Sequence, residues 1–167
     1  MINKILVAID NSEMSQGIFR EALELTQATH AQMMLLHVLS PFEDPYINPI
    51  YLQPEAMYPT LHTEGINSYI EVWDKLKRER LNWLRNLAQK ATDAGVKAEF
   101  TQGLGDAGRV ICEVAVNWAA DVIIVGRRGH IGLSELFLGS ISNYVLHHAP
   151  CSVLTLQGLI PVTQKAG

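Results

Sequence analysis

Cysteine is almost missing from the 167 residues: Cys112 and Cys151 are the only two. Both fall inside apolar helical or strand patterns and not in a paired spacing such as C-x-x-C. They read as buried, reduced thiols of a cytoplasmic protein, which excludes a disulfide scaffold. Long apolar runs are missing as well. The run Ile5–Ile9 is too short for the core of a signal sequence, and no stretch reaches the roughly 18 residues of a membrane span. Positive charge is scarce, with 13 Lys plus Arg against 17 Asp plus Glu and a net charge of −4. No overall positive field exists to collect nucleic acid or an acidic membrane, so neither is an expected partner. No Gly-Lys-Ser or Gly-Lys-Thr occurs, which excludes a P-loop and its phosphate-reaching lysine.

What is present is an alternation of short apolar runs and helical patterns. Lys4–Asp10, Met33–Val38, Val96–Thr101, Asp121–Val125 and Cys151–Leu156 read as strands. Between them, helical periodicity spans Ser12–His30, Asn67–Ala94, Asp106–Trp118 and Ser140–His148. Strands separated by helices imply a parallel α/β sheet covered on both faces. One domain over residues 1–158 and a tail over 159–167 are expected. The regular alternation fails between about residues 40 and 65. Five prolines and Tyr46, Tyr51 and Tyr58 crowd Ser40–Thr60, a density that excludes regular helix or central strand and reads as an irregular insertion.

Ligands of open parallel sheets sit beyond the carboxyl ends of the strands, where the strand order reverses. Two stretches compete for that place. Gly103-Leu104-Gly105-Asp106-Ala107-Gly108 is a literal G-x-G-x-x-G between a strand and a helix, the dinucleotide fingerprint. Its required acid at the end of the next strand is replaced by Gly126 and Arg127, which leaves only an NADP-type reading open. The plain alternative is that Gly105 turns the chain and Asp106 caps a helix. The second stretch is Val122-Ile123-Ile124-Val125-Gly126, followed by Gly129 and, after nine residues, by Gly139-Ser140 and Ser142 at a helix start. Glycines and hydroxyls at such a helix N-terminus suit phosphate. Asp10, ending the first strand, suits an exocyclic amine, a ribose hydroxyl or a magnesium ion, or simply caps the first helix.

The spacing Gly126-x2-Gly129-x9-Gly139-Ser140 closely resembles the G-x2-G-x9-G-[S/T] phosphate motif of the universal stress protein family, in its ATP-binding branch. KILVAID at the start, LLHV, GDAGRVI, AADVIIVGRRG and GSISNYVLHHAPCSVL look like family segments in the family order. The resemblance covers the chain outside the Pro/Tyr-rich insertion. It implies a Rossmann-like α/β fold with strand order 3-2-1-4-5 and a homodimer paired through Ser152–Leu156. Carried over position by position, Ala8, Ile9, Asp10 and Val38 would contact adenine and ribose. Val125, Gly126, Gly129, Gly139, Ser140, Ile141 and Ser142 would surround ribose and phosphates. Arg127 and Arg128, inside the loop, are placed to pair with a terminal phosphate. Ala107 departs from the proline that the family often carries, a change in turn stiffness more than in contacts.

Hydrolytic machinery is not evident. The loop offers Glu135 as its one carboxylate and His130 as a lone histidine, and adjacent His147 and His148 do not share a helix face for a metal. The expectation is a cytoplasmic, non-enzymatic stress regulator that binds ATP, ADP, AMP or a cyclic adenine nucleotide, with magnesium as an accompanying ion and unknown protein partners. A slow ATPase, an NADP-type enzyme and a structural dimer with an unused site stay open.

Overall fold

Ile5, Leu6 and Val7 are each wholly buried, so the first strand, β1 (Lys4–Ala8), has apolar neighbours on both faces. It is the middle of a five-stranded parallel sheet. The computed structural model describes residues 1–12, 14–40, 59–126 and 139–157. Along the chain, β1 is followed by α1 (Met14–Thr29), β2 (Gln32–Leu39), α2 (Pro59–Asp93), β3 (Ala98–Leu104), α3 (Ala107–Trp118), β4 (Val122–Gly126), α4 (Ser140–His148) and β5 (Ser152–Leu156). The sheet order is β3-β2-β1-β4-β5, as the resemblance implies. The order reverses between β1 and β4, where Ala8 stands level with Leu36 on one side and Val125 on the other.

Alternation along the strands sorts the core into two layers. Ile5, Val7, Met33, Leu35, Val122 and Ile124 meet Ile18, Phe19 and Ala22 of α1 and Leu84, Leu87 and Ala91 of α2. Leu6, Met34, Leu36, Ile123 and Val125 meet Ile111 and Ala115 of α3 and Val145 of α4.

Several boundaries differ from the sequence expectation, each for a physical reason. The first strand stops at Ala8 because Asp10 turns its carboxylate back to the entry of α1. The third strand runs on to Leu104, since Val38 and Leu39 still pair with Gly103 and Leu104. The insertion does not extend to residue 65: α2 begins at Pro59. Proline is tolerated at a first helical position because its missing N–H would have had no intrahelical acceptor. Residues 41–58 of the insertion, including Tyr46, Tyr51 and Tyr58, lie outside the described residues. Cys112 and Cys151 are half-buried, not buried, at the margin of the second layer.

Candidate functional site

Above the carboxyl ends of β1 and β4 lies a cleft of about 140 Å³. Its floor is Ala8, Ile9, Leu36, Val38, Val125 and Gly126. One wall is α1 with Met14 and Ile18; the opposite wall is α3 with Ala107 and Ile111. Asp10 and Ser12 stand at the α1 entry, and Gly139, Ser140, Ile141 and Ser142 bring in the start of α4. The cleft is thus an apolar slot with polar groups at two ends, the general form of a small-molecule site.

The sequence-derived residues meet here. Ala8, Ile9, Asp10, Val38, Val125, Gly126, Gly139, Ser140, Ile141 and Ser142 all line the one cleft, although 134 positions separate the first from the last. Arg127, Arg128 and Gly129, with His130 and Glu135, lie outside the described residues. Met14, Ile18, Leu36, Ala107 and Ile111 line the cleft without having been singled out for it. Their helical or strand periodicity marks them only as core; the signal that identifies them is position in the turn facing the strand ends.

The two helix entries differ in chemistry. At α1, Asp10 Oδ1 accepts from the Ser12 N–H at 3.0 Å and from the Ser15 hydroxyl at 2.7 Å. The Asp10 carboxylate thus ties the turn that leads into α1 to the Ser15 hydroxyl, and puts a negative charge beside this helix entry. At α4 the capping residue is Gly139, with no side chain to offer. Among the described residues nothing accepts from the N–H groups of Ser140, Ile141 or Ser142, the first three of the helix. Such groups carry the positive end of the helix dipole and direct it into the cleft. The hydroxyls at this end are not equivalent. Ser142, buried, donates to the Gly139 carbonyl at 3.1 Å and so holds the turn, whereas Ser140 is exposed to the cleft mouth.

The competing glycine motif has a local use at every position. Gly103 lies within β3, where a Cβ would come 2.4 Å from Val110 Cγ1. Gly105 turns the chain at φ +124°. Asp106 caps α3, accepting from the Arg109 N–H at 2.9 Å. Gly108 lets α3 approach α4, because a Cβ there would lie 2.7 Å from the Tyr144 ring. The motif also ends the outer strand β3, two strands from the point where the order reverses. Only Ala107 of it reaches the cleft.

Other candidate groups lie elsewhere. Asp121 begins β4 at the opposite edge of the sheet, where its Oδ2 accepts from the N–H groups of Asn3 and Lys4; these hold its carboxyl below the usual range. Burial pushes both the Cys112 and the Cys151 thiol up, so they stay protonated. His37 is buried edge-on to Trp83, and His148 stacks on Tyr144 at 4.0 Å between ring centres. Among the described residues no three His, Cys, Asp or Glu side chains converge as a metal site.

Comparison with known proteins agrees with this geometry. The model of the Universal stress protein family matches residues 1–157. The chain is similar to the universal stress protein Sll1388 of Synechocystis, with 35% identity over 158 residues, 92% of this chain and 97% of that one. Among solved structures, MJ0577 of Methanocaldococcus jannaschii superimposes with a TM-score of 0.72 at 23% identity, over 94% of this chain and 96% of that one. A universal stress protein in complex with cAMP has a TM-score of 0.57 at 21% identity, over 95% and 98% of the chains. The Archaeoglobus fulgidus protein in complex with dAMP has a TM-score of 0.55 at 18% identity, over 94% and 100%. At these identities the structural likenesses establish the fold.

Proposed function

The chain belongs to the universal stress protein family, and on that premise we propose that its cleft binds an adenine nucleotide, ATP in the first instance. The carrying observation is the junction, in one cleft, of an apolar slot with the side-chain-free N-terminus of α4. A flat, largely apolar base suits the slot between Met14, Ile18 and Ile111; phosphate suits the unpaired N–H groups and the Ser140 hydroxyl. Relatives of the same fold in complex with cAMP and dAMP support the adenine nucleotide class, and leave the number of phosphates open.

The role proposed is retention of the nucleotide, as a stress-responsive regulator, and not its turnover. Among the described lining residues Asp10 is the one ionisable side chain, and its Oδ1 already accepts two donors. Magnesium, in this reading, enters with the phosphates, since one carboxylate makes a poor cage for it. We further propose a cytoplasmic homodimer. Among the described residues strand β5 pairs only with β4, and Leu154 on it is 38% exposed. Pairing two such edges covers an apolar strand that would otherwise invite aggregation. Free thiols suit a reducing compartment, and the net charge of −4 gives no reason for nucleic acid or membrane as partner.

Mass spectrometry of small molecules released from the purified protein, followed by calorimetric titration with ATP, AMP and GTP, tests the reading. Recovery of an adenine nucleotide and selective binding are expected. Absence of both would refute it, and steady release of ADP from bound ATP would refute retention without turnover.

A further inference from the structure

Ser15 is buried, 2% exposed, inside a frame of residues that line the cleft while it does not: Asp10, Ser12, Met14 and Ile18 all reach the cleft around it. A hydroxyl removed from water to this extent is costly unless it is bonded. Its partner is Asp10. Ser15 Oγ donates to Asp10 Oδ1 at 2.7 Å and lies against the Asp10 main-chain carbonyl as well. The Ser12 N–H reaches the same Oδ1 at 3.0 Å, Ser12 Oγ stands 3.4 Å from Ser15 Oγ, and the Ser15 N–H donates to the Ser12 carbonyl at 3.1 Å. The acid that ends β1 is therefore clasped from the first turn of α1.

The clasp has a directional consequence. A carboxylate carries about four acceptor positions, and bonding one oxygen to two fixed donors sets the plane in which the others point. Rotation of an unclasped Asp10 would move those acceptors relative to the cleft floor. We propose that Ser15 is a positioning residue of the nucleotide site: it acts on the ligand through Asp10, orienting the carboxylate toward a donor on the nucleoside part, a ribose hydroxyl or an exocyclic amine. This rests on the adenine nucleotide reading above. It assigns the nucleoside to the α1 end and the phosphates to the α4 end. Loss of the clasp then weakens every adenine nucleotide by the same factor, whatever its phosphate count.

The test is calorimetric titration of the full chain with ATP and with AMP, in wild type, Ser15→Ala, Ser15→Cys, Ser15→Thr, Asp10→Ala and the Asp10→Ala/Ser15→Ala double variant. Ser15→Cys keeps the buried volume and so guards against a fold lost for want of packing; melting curves accompany each titration. A fall of about tenfold is expected for both ligands in Ser15→Ala and Ser15→Cys, the scale of a hydrogen bond to a charged group. Ser15→Thr, retaining the hydroxyl, restores most of it, and Ser15→Ala costs nothing further once Asp10 is Ala. If wild type binds but Ser15→Cys binds as well as wild type, or the losses at positions 10 and 15 add, the positioning role is overturned while the nucleotide reading stands. If wild type binds neither ligand, the nucleotide reading falls and this inference with it.

Discussion

Gly126 is a glycine for reasons of space, and this makes it a sharp probe of the cleft. Its φ lies outside the left-handed region, so the backbone itself would accept a side chain. A Cβ added there would stand 2.3 Å from Ile18 Cδ1, more than 1 Å inside ordinary contact, while Ile18 Cγ1 would be at a comfortable 3.6 Å. In Gly126→Ala the terminal methyl of Ile18 must therefore move. Ile18 is 4% exposed and its open side is the cleft, so the methyl is displaced into the space assigned to the ligand. Because only the end of a flexible side chain shifts, the loss of stability is expected to be about 1 kcal/mol, the scale of one off-rotamer side chain. Binding suffers more, by about tenfold, equivalent to roughly 1.4 kcal/mol.

Ile18→Val removes the offending carbon. Alone it costs about 0.5–1.5 kcal/mol of stability through the lost methylene. In its presence Gly126→Ala has only the 3.6 Å contact left to make, and the binding penalty of the alanine is expected to vanish. Urea denaturation and ATP titration of the four proteins form a double-mutant cycle with a coupling of about 1 kcal/mol in each observable. Strict additivity, or a Gly126→Ala variant with wild-type affinity, would refute the claim that α1 and the end of β4 jointly set the cleft width.

Ser140→Ala is expected to weaken ATP by about three- to tenfold in titration and leave melting unchanged, whereas Ser142→Ala lowers the melting temperature through the lost bond to Gly139. Asp106→Ala removes the α3 cap at a cost of about 1 kcal/mol in denaturation, with nucleotide affinity unchanged if the G-x-G-x-x-G stretch is purely structural. Asp121, whose carboxyl is held below its usual range by two N–H groups, binds protons less readily folded than unfolded. Its stabilisation is present above the unfolded pKa of about 4 and is lost as pH falls through the lower folded value. Wild type should therefore melt above Asp121→Asn at neutral pH, and the gap should close in acid.

The order of elements was legible because each strand is a short apolar run and each helix has a polar face, whereas the strand order came only with the family resemblance. The cap at Asp106 and the boundaries of α4 were legible for local reasons as well. Failures arose where tertiary context outranks local signal. Gly103 looks like a turn glycine, yet β2 continues past it as Val38 and Leu39 and keeps it in the sheet. Pro59 looks like part of an irregular segment, yet it sits in the first turn of a helix, where an N–H has no intrahelical acceptor to lose. On α1, Thr26 is buried while Ala28 is exposed, because the Thr26 hydroxyl is satisfied by the Ala22 carbonyl at 2.7 Å. At the cleft, strand-end residues announced themselves by position and glycine spacing. Ile18 and Ile111 did not, since a residue that packs the core and also walls a cleft has the same periodicity as one that only packs the core.

Three helices start at the cleft; α3 is already capped by Asp106, and the entries of α1 and α4 suggest which way a nucleotide lies. An anion placed at α1 would compete with the Asp10 carboxylate, which already accepts there; at α4 it would meet N–H groups with no protein acceptor among the described residues. Like charges repel at the first entry and the dipole attracts at the second, so the phosphates belong at α4. Gly139 allows this to be reversed by one substitution. Its φ −58°, ψ 155° are accessible to any residue, so Gly139→Asp gives α4 a side-chain cap like the one Asp106 gives α3, changing helix stability by only a few tenths of a kcal/mol. The new carboxylate would occupy the helix N-terminus electrostatically, and ATP affinity should fall by at least tenfold; Gly139→Asn, a neutral cap of the same shape, should lose less. Unchanged ATP binding in Gly139→Asp would place the phosphates away from α4 and break the assignment of the two ends.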